Sequence, residues 1–199
     1  MKKLNSFKNR IPLPVRLFLG KALLFFVVWK MVYGVFIFQS NSLDYKLTMH
    51  VGDASVWVLN NLTTMSGFTA IEDVYSEVYN GEMIEHISSG IYHNDYKVLN
   101  IADACNGLEL LVLFVGFIVC MPSKIKRKIL YIVLGVIVLD AVNILRCVGL
   151  IYLREYYHVY FDFAHHYLFK IVVYGVTFLI WWYYSRKISL KQNAAIQVG

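Results

Sequence analysis

Four apolar stretches organise the chain, at residues 17–38, 105–121, 129–153 and 165–184. A helix that crosses a bilayer needs about 20 mostly apolar residues, and each stretch is near that length. The second is short, and the first is interrupted by Lys21 and Lys30. Lys30 inside the first stretch, and the poor match of Ser40, Asn41 and Ser42 to a small-x-small cleavage site, favour a retained span over a removed leader. The segment 39–104 is of mixed polarity. Val51, Val58, Leu62 and Met65 recur near helical spacing and predict an amphipathic helix near the outer surface. From 74 to 98, tyrosines, β-branched residues and the turn pairs Asn80-Gly81 and Ser89-Gly90 predict short strands or a hairpin. Residues 192–199 read as a frayed tail. The expected fold is an all-α integral membrane protein: about four transmembrane helices with a small outer segment, in one membrane domain over 1–199.

Composition agrees with that pattern. Of 199 residues, 58% are hydrophobic and only 16% charged, where soluble domains run nearer a quarter charged. A soluble globular domain and a disordered chain are both excluded. The net charge of +6 does not build a nucleic-acid face, because the basic residues sit in short clusters beside the apolar runs; membrane lipid is the expected partner, and no nucleic acid. Twelve of them (Lys2, Lys3, Lys8, Arg10, Arg16; Lys124, Lys126, Arg127, Lys128; Arg186, Lys187, Lys191) fall on one side of a four-span arrangement, and Lys46, Lys97 and Arg154 on the other. The positive-inside rule then puts both termini in the cytoplasm and the acidic 39–104 segment outside. Three cysteines are too few for a disulfide scaffold.

Ionisable residues within spans mark functional candidates: Lys30, Glu109, Asp140, Arg146 and Lys170, with Asn143 alongside. Depth sorts them. Lys30 and Asp140 share a mid-membrane level, which predicts an ion pair between spans one and three, and Lys170 is expected to snorkel outward or pair. Cys105 opens the second span from outside, with Glu109 at i+4 on the same helical face. Arg146 lies 17 residues into the third span, about 26 Å across a core of about 30 Å. His165 and His166 open the fourth span. Cysteine, arginine and histidine thus meet at one outer level. A thiolate is the nucleophile, and a helix N-terminus and nearby cations favour it. Arg146 suits the thiolate or an oxyanion, a histidine suits proton transfer, and Glu109 or Asn143 suits orienting the arginine.

Plainer readings stand beside these. Cys120 is a packing residue, about 22 Å along the helix from Cys105. A Cys105–Cys147 disulfide is geometrically conceivable. The aromatic cluster Trp181, Trp182, Tyr183 and Tyr184 reads as an interfacial belt. Glu155, His158, Asp162, His165 and His166 lie within twelve residues and offer metal-type ligands for a metal-dependent membrane hydrolase, although HExxH is absent. A non-catalytic transport or assembly factor is the remaining alternative. Neither cofactor nor metal is assigned.

Ala104, Cys105, Asn106, Gly107 and Leu108, followed by an apolar helix, resemble the Ala-Cys-Ser/Asn-Gly motif of the exosortase/archaeosortase family. Asn143 to Arg146 is similar to its Asn-x-x-Arg motif, and the histidine opening the last span to its third signature. The resemblance covers roughly 75–185 and is closest to the compact exosortases of the Bacteroidetes type. It implies a membrane cysteine protease and transpeptidase of the bacterial inner membrane, its site facing outward. Such an enzyme cleaves C-terminal sorting signals of exported proteins and passes them, through an acyl-thioester, to a surface lipid or polysaccharide acceptor. Carried over, Cys105 is the nucleophile, Arg146 its partner, and one of His165 and His166 completes the triad, with His166 slightly favoured. The catalytic helices are then 105–185 and the outer elaboration 39–104. Asn106 stands where many relatives have serine, and Glu109 adds a carboxylate near the cysteine; both bear on substrate recognition.

Overall fold

The computed structural model describes residues 13–34, 42–79 and 82–197. Helices α1 (Leu13–Val32) and α2 (Ser42–Leu62) are followed by three strands, β1 (Phe68–Tyr79), β2 (Glu82–His93) and β3 (Tyr96–Ile101). A single 3₁₀ turn (Asp103–Cys105) leads to α3 (Leu108–Cys120) and the long α4 (Ile125–Tyr156). The chain ends in α5 (His158–Phe163), a π turn (Ala164–Leu168) and α6 (Phe169–Gln197). The protein is mostly helical but not all-α, since the outer segment carries an antiparallel sheet in the order β1-β2-β3. Helix α6 runs to Gln197, so most of the expected frayed tail is helical.

Among the described residues, Ile125–Tyr156 and His158–Arg186 are long and apolar enough to cross a membrane. Helix α1 carries three cations, Arg16, Lys21 and Lys30. Helix α3, with 13 residues, is about 20 Å long against a hydrocarbon core of about 30 Å. Apolar side chains such as Ile137, Ile171 and Phe178 stand exposed along α4 and α6, a surface that only lipid or protein would cover favourably.

Among the described residues, two cores hold the fold together. In the first, Phe114 and Ile118 of α3 pack on Leu139 of α4 and Tyr184 of α6. Arg127 fastens the α3–α4 connection to α6: its Nη2 donates to the Tyr184 carbonyl at 2.7 Å and its guanidinium lies 4.9 Å from the Tyr184 ring centre. Gly135 lets the two helices approach, because a Cβ there would fall 2.1 Å from Phe114 Cζ. Gly135→Ala is therefore expected to lower stability by about 1–3 kcal/mol through overpacking. Gly175→Ala, with open space around the new methyl, should instead gain up to about 1 kcal/mol of helix propensity. Thermal unfolding of the two variants in one detergent measures the contrast.

The second core lies between the sheet, α2 and the C-terminal half of α4, with Val51, Leu59, Ile91, Val98, Cys147 and Ile151 buried together. The α2 helix is where the sequence predicts one, but its buried stripe differs. Asp44, Thr48, Val51, Ser55 and Leu59 face inward, while Leu62 is exposed. The Ser89-Gly90 pair forms no turn: both residues sit in mid-β2, paired with Glu72 and Ile71. Their smallness serves packing in two places: α2 passes so close that a Cβ on Gly52 would fall 2.0 Å from Ser89 Oγ, and a Cβ on Gly90 would fall 2.9 Å from the Tyr92 ring and 3.0 Å from the Asp73 carboxylate. The turn into β3 is made by Asn94 and Asp95, both with positive φ (46° and 71°), as two-residue hairpins require. Asn80-Gly81 lies outside the described residues. Across the sheet, Lys97 of β3 pairs with Asp73 of β1, and this hydrogen bond holds the Asp73 carboxyl below its ordinary range.

The expected Lys30–Asp140 pair does not form. Asp140 meets His50 of α2 at 3.1 Å, and Lys30 lies over the Phe26 ring of its own helix, 5.8 Å from the centroid. Equal depth in two helices fixes a level but not a facing direction, and α2 occupies the face that Asp140 presents.

Candidate active site

The segment 102–107, between the sheet and α3, is held from two sides. Within it, the Cys105 N–H donates to the Ala102 carbonyl (2.8 Å) and the Asn106 N–H to that of Asp103 (3.1 Å). Gly107 then adopts φ +83°, a left-handed conformation that costs glycine little. Cys105 therefore precedes α3 rather than beginning it, and Glu109 is not its i+4 neighbour on a continuous helix. The Asn106 side chain closes an Asx turn into the helix instead, its Oδ1 accepting the Leu108 N–H at 2.9 Å.

From one side, α2 grips the segment. Thr48 donates to Asp103 Oδ1 (3.0 Å), and the buried Asn106 amide donates to Asp44 Oδ1 (2.9 Å). From the other side, α4 presents Asn143 and Arg146 one turn apart. Asn143 Nδ2 donates to the Cys105 carbonyl at 3.1 Å. Arg146 Nη1 donates to Asn143 Oδ1 at 3.3 Å, and Nη2 reaches Cys105 Sγ at 3.4 Å. Asn143, not Glu109, thus orients the guanidinium. Arg146 Nε is buried and, among the described residues, has no hydrogen-bond partner; such a group carries a desolvation cost that native structures rarely leave unexplained.

Beside this segment lies a small cleft of about 120 Å³ lined by Asn106, Gly107, Glu109, Asn143, Arg146 and Lys170, among others. Glu109, Leu110 and Tyr174 also line an apolar groove of about 440 Å³ between α1, α3 and α6, walled by Phe18, Phe25, Trp29 and Trp181. Glu109 and Lys170 are thus exposed at the cleft.

The histidines enter from the π turn, where the Phe169 N–H reaches back five residues to the Ala164 carbonyl. The extra residue in that turn changes which way the following side chains face, and such turns are frequent at functional sites. Phe169 packs against Gly149, where a Cβ would fall 2.5 Å from its ring, so α6 starts close to α4. His165 is half-buried, stacked 5.8 Å from Phe161, and within electrostatic range of Arg146. His166 is exposed, its ring 4.9 Å from that of His165. Among the described residues, neither is hydrogen-bonded to Cys105 or Arg146.

The remaining candidates separate. All three cysteines are free, so no Cys105–Cys147 disulfide forms; Cys147 and Cys120 are buried and Cys105 is half-buried. The acidic and histidine residues from the last turn of α4 onward do not converge: Glu155 pairs with His93 of β2 at 2.9 Å, and among the described residues no three His, Cys, Asp or Glu side chains form a metal site. Asp44 and Thr48, which support the segment, escape sequence reading as site residues. The available signal is that two polar residues share the i, i+4, i+7 stripe with Val51.

A thiol beside an arginine that an asparagine fixes, ahead of a short apolar helix in a chain with membrane-length helices, defines the class as a membrane protein with the makings of thiol chemistry. The chain belongs to the transmembrane exosortase family, whose model matches residues 13–183. That family consists of membrane sorting proteases and transpeptidases that depend on cysteine. Searches of curated proteins and of solved structures returned no match.

Proposed function

We propose that this protein is a membrane transpeptidase that uses Cys105 as nucleophile, Arg146 as its electrostatic partner and His165 as proton carrier. The observation that carries the reading is the Arg146 Nη2 contact with Cys105 Sγ at 3.4 Å, because a guanidinium beside a thiol favours the thiolate. The Cys105 thiol gives its proton to the His165 imidazole; the thiolate attacks the scissile carbonyl of a C-terminal sorting signal, and the carbonyl electron pair moves to oxygen beside the guanidinium. Collapse of the tetrahedral adduct expels the peptide nitrogen, which takes a proton from imidazolium. An acyl-thioester is left on Cys105. A hydroxyl or amine of a surface lipid or polysaccharide then attacks it, gives its proton to the imidazole, and releases the thiolate.

Helices α1, α3, α4 and the α5–α6 rod serve as four spans in this reading, with both termini in the cytoplasm and the cleft opening outward in a bacterial inner membrane. The basic clusters at 124–128 and 186–191 support that orientation. Outer elaboration and catalytic helices divide at residue 104.

His165 is assigned over His166 because it is the half-buried member of the pair. His165→Asn is expected to slow processing by roughly 10²–10⁴-fold, the usual worth of a positioned acid–base group, while His166→Asn stays near wild type. Reversal of that order reverses the assignment. The thioester itself is tested with hydroxylamine: a substrate hydroxamate formed by the wild-type protein, at the expense of transfer product, supports it. Cleavage without hydroxamate at any hydroxylamine concentration argues for direct hydrolysis instead.

A further inference from the structure

We infer that Asp44 is a positioning residue for the nucleophile, acting through Asn106 to hold the Cys105 segment in register with Arg146; the inference rests on the thiol reading above. Asp44 is 5% exposed, and both of its carboxylate oxygens are occupied. Oδ1 accepts from Asn106 Nδ2 at 2.9 Å, and Oδ2 accepts from the Tyr33 hydroxyl at 2.8 Å. The same Asn106 amide also lies 3.4 Å from the Asp44 carbonyl and from Thr48 Oγ1.

Burying a carboxylate is costly unless it is hydrogen-bonded, and a conventional packing role on the α2 stripe would be served better by leucine or valine. The cost is understandable if the acceptor is needed where it is. With its nitrogen fixed on Asp44, the Asn106 amide cannot rotate, so Oδ1 faces the Leu108 N–H and closes the turn into α3. Cys105 is the residue immediately before, and its carbonyl is held from the opposite side by Asn143. Asp44 and Asn143 are therefore the two jaws of one clamp, and the 3.4 Å sulfur–guanidinium contact is set between them. Tyr33 extends the clamp to the end of α1, the helix that walls the apolar groove.

The sign of the expected effects depends on which property of Asp44 matters. Asp44→Asn leaves a satisfiable network: its Oδ1 accepts from Asn106, and its amide nitrogen donates to the Tyr33 oxygen. Asp44→Ala leaves the Asn106 amide free to turn. If Asp44 positions the loop, the asparagine variant keeps most of the processing activity and the alanine variant loses roughly a hundredfold, as small misplacements of reacting groups do.

The experiment uses the full chain in membrane vesicles and has two readouts. One is processing of a sorting-signal substrate. The other is the pH midpoint for alkylation by N-ethylmaleimide, which reports Cys105 because the chain's other two cysteines are buried. The expected result is a raised midpoint and slowed processing for Asp44→Ala, with both restored towards wild type by Asp44→Asn. Should the alanine variant not accumulate, Asp44→Ser, too short to reach Asn106 or Tyr33, takes its place with the same expectation. The proposal is overturned if truncation lowers only thermal stability and leaves the midpoint and the processing rate as they were. It is overturned equally if Asp44→Asn is as slow as the truncated variant. Failure of the thiol reading is separately visible, because Cys105→Ala would then process normally whatever the alkylation midpoints show.

Discussion

Cys105→Ala is expected to bring processing of a sorting-signal substrate down to background, a loss of roughly 10³-fold or more, while the protein accumulates normally. The chemical half of that expectation follows from covalent catalysis, since no acyl-enzyme forms without the attacking atom. Cys105→Ser should be nearly as inactive. A serine hydroxyl is a far weaker acid than a thiol, and the group at 3.4 Å is a guanidinium, which stabilises an anion but takes no proton. The structural half follows from burial. Cys105 is half-buried at the margin of the core that contains Cys147, so trimming one sulfur removes less than about 1 kcal/mol of apolar burial. Co-expression of substrate with each variant, followed by mass on gels with the enzyme level measured in parallel, separates the two halves. Continued cleavage by Cys105→Ala at normal protein level would remove the thiol from the chemistry. It would turn attention to the non-catalytic alternative, because His93 already engages Glu155 and breaks up the rival ligand cluster.

Much of this arrangement is visible along the chain because helices turn sequence distance into axial distance. Counting 1.5 Å per residue brings Cys105 and Arg146 to one level, and i, i+3 spacing puts Asn143 beside Arg146; all three are hydrogen-bonded together. The same count fails for Lys30 and Asp140, where level without facing direction left His50 unforeseen. It also fails for Glu109, because it assumes one continuous helix where Gly107 at φ +83° separates two pieces. Asp44 and Thr48 carry no local mark. They contact Asn106 across 62 and 58 residues, a pairing set by how α2 docks between sheet and α4. The small residues Gly52 and Ser89 permit that docking, yet in sequence Ser89-Gly90 reads as a turn. The π turn at Ala164–Leu168 is equally silent, since one additional residue in an apolar helix barely disturbs its periodicity. That turn decides how His165 and His166 face, which is why spacing leaves the pair open.

Arg146→Lys should cost processing about 10²–10³-fold, a magnitude typical of removing an oriented donor to a developing oxyanion. Charge is conserved in this variant, so a point-charge view of Arg146 predicts little loss. Geometry predicts otherwise. One guanidinium spans Asn143 Oδ1 and Cys105 Sγ with two different nitrogens, and a lysine ammonium on a flexible stem cannot occupy both directions with a planar fork. The third nitrogen strengthens the argument. Arg146 Nε is buried and, among the described residues, has no hydrogen-bond partner, and a buried donor left unsatisfied costs about 1–3 kcal/mol. An oxygen arriving in the tetrahedral adduct would relieve that cost in the transition state, where relief accelerates the reaction. The loss in Arg146→Lys should accordingly fall mainly on kcat, with KM for the substrate little changed, since the missing bond is one that forms as the reaction proceeds. Asn143→Ala should show the same split more weakly, because it frees the guanidinium without removing it. Steady-state processing by the purified full chain, with initial rates taken across substrate concentration, gives both constants. A lysine variant with wild-type kcat would show that Arg146 contributes only its charge. A rise in KM alone would move it from the reacting carbonyl to the binding of the sorting signal.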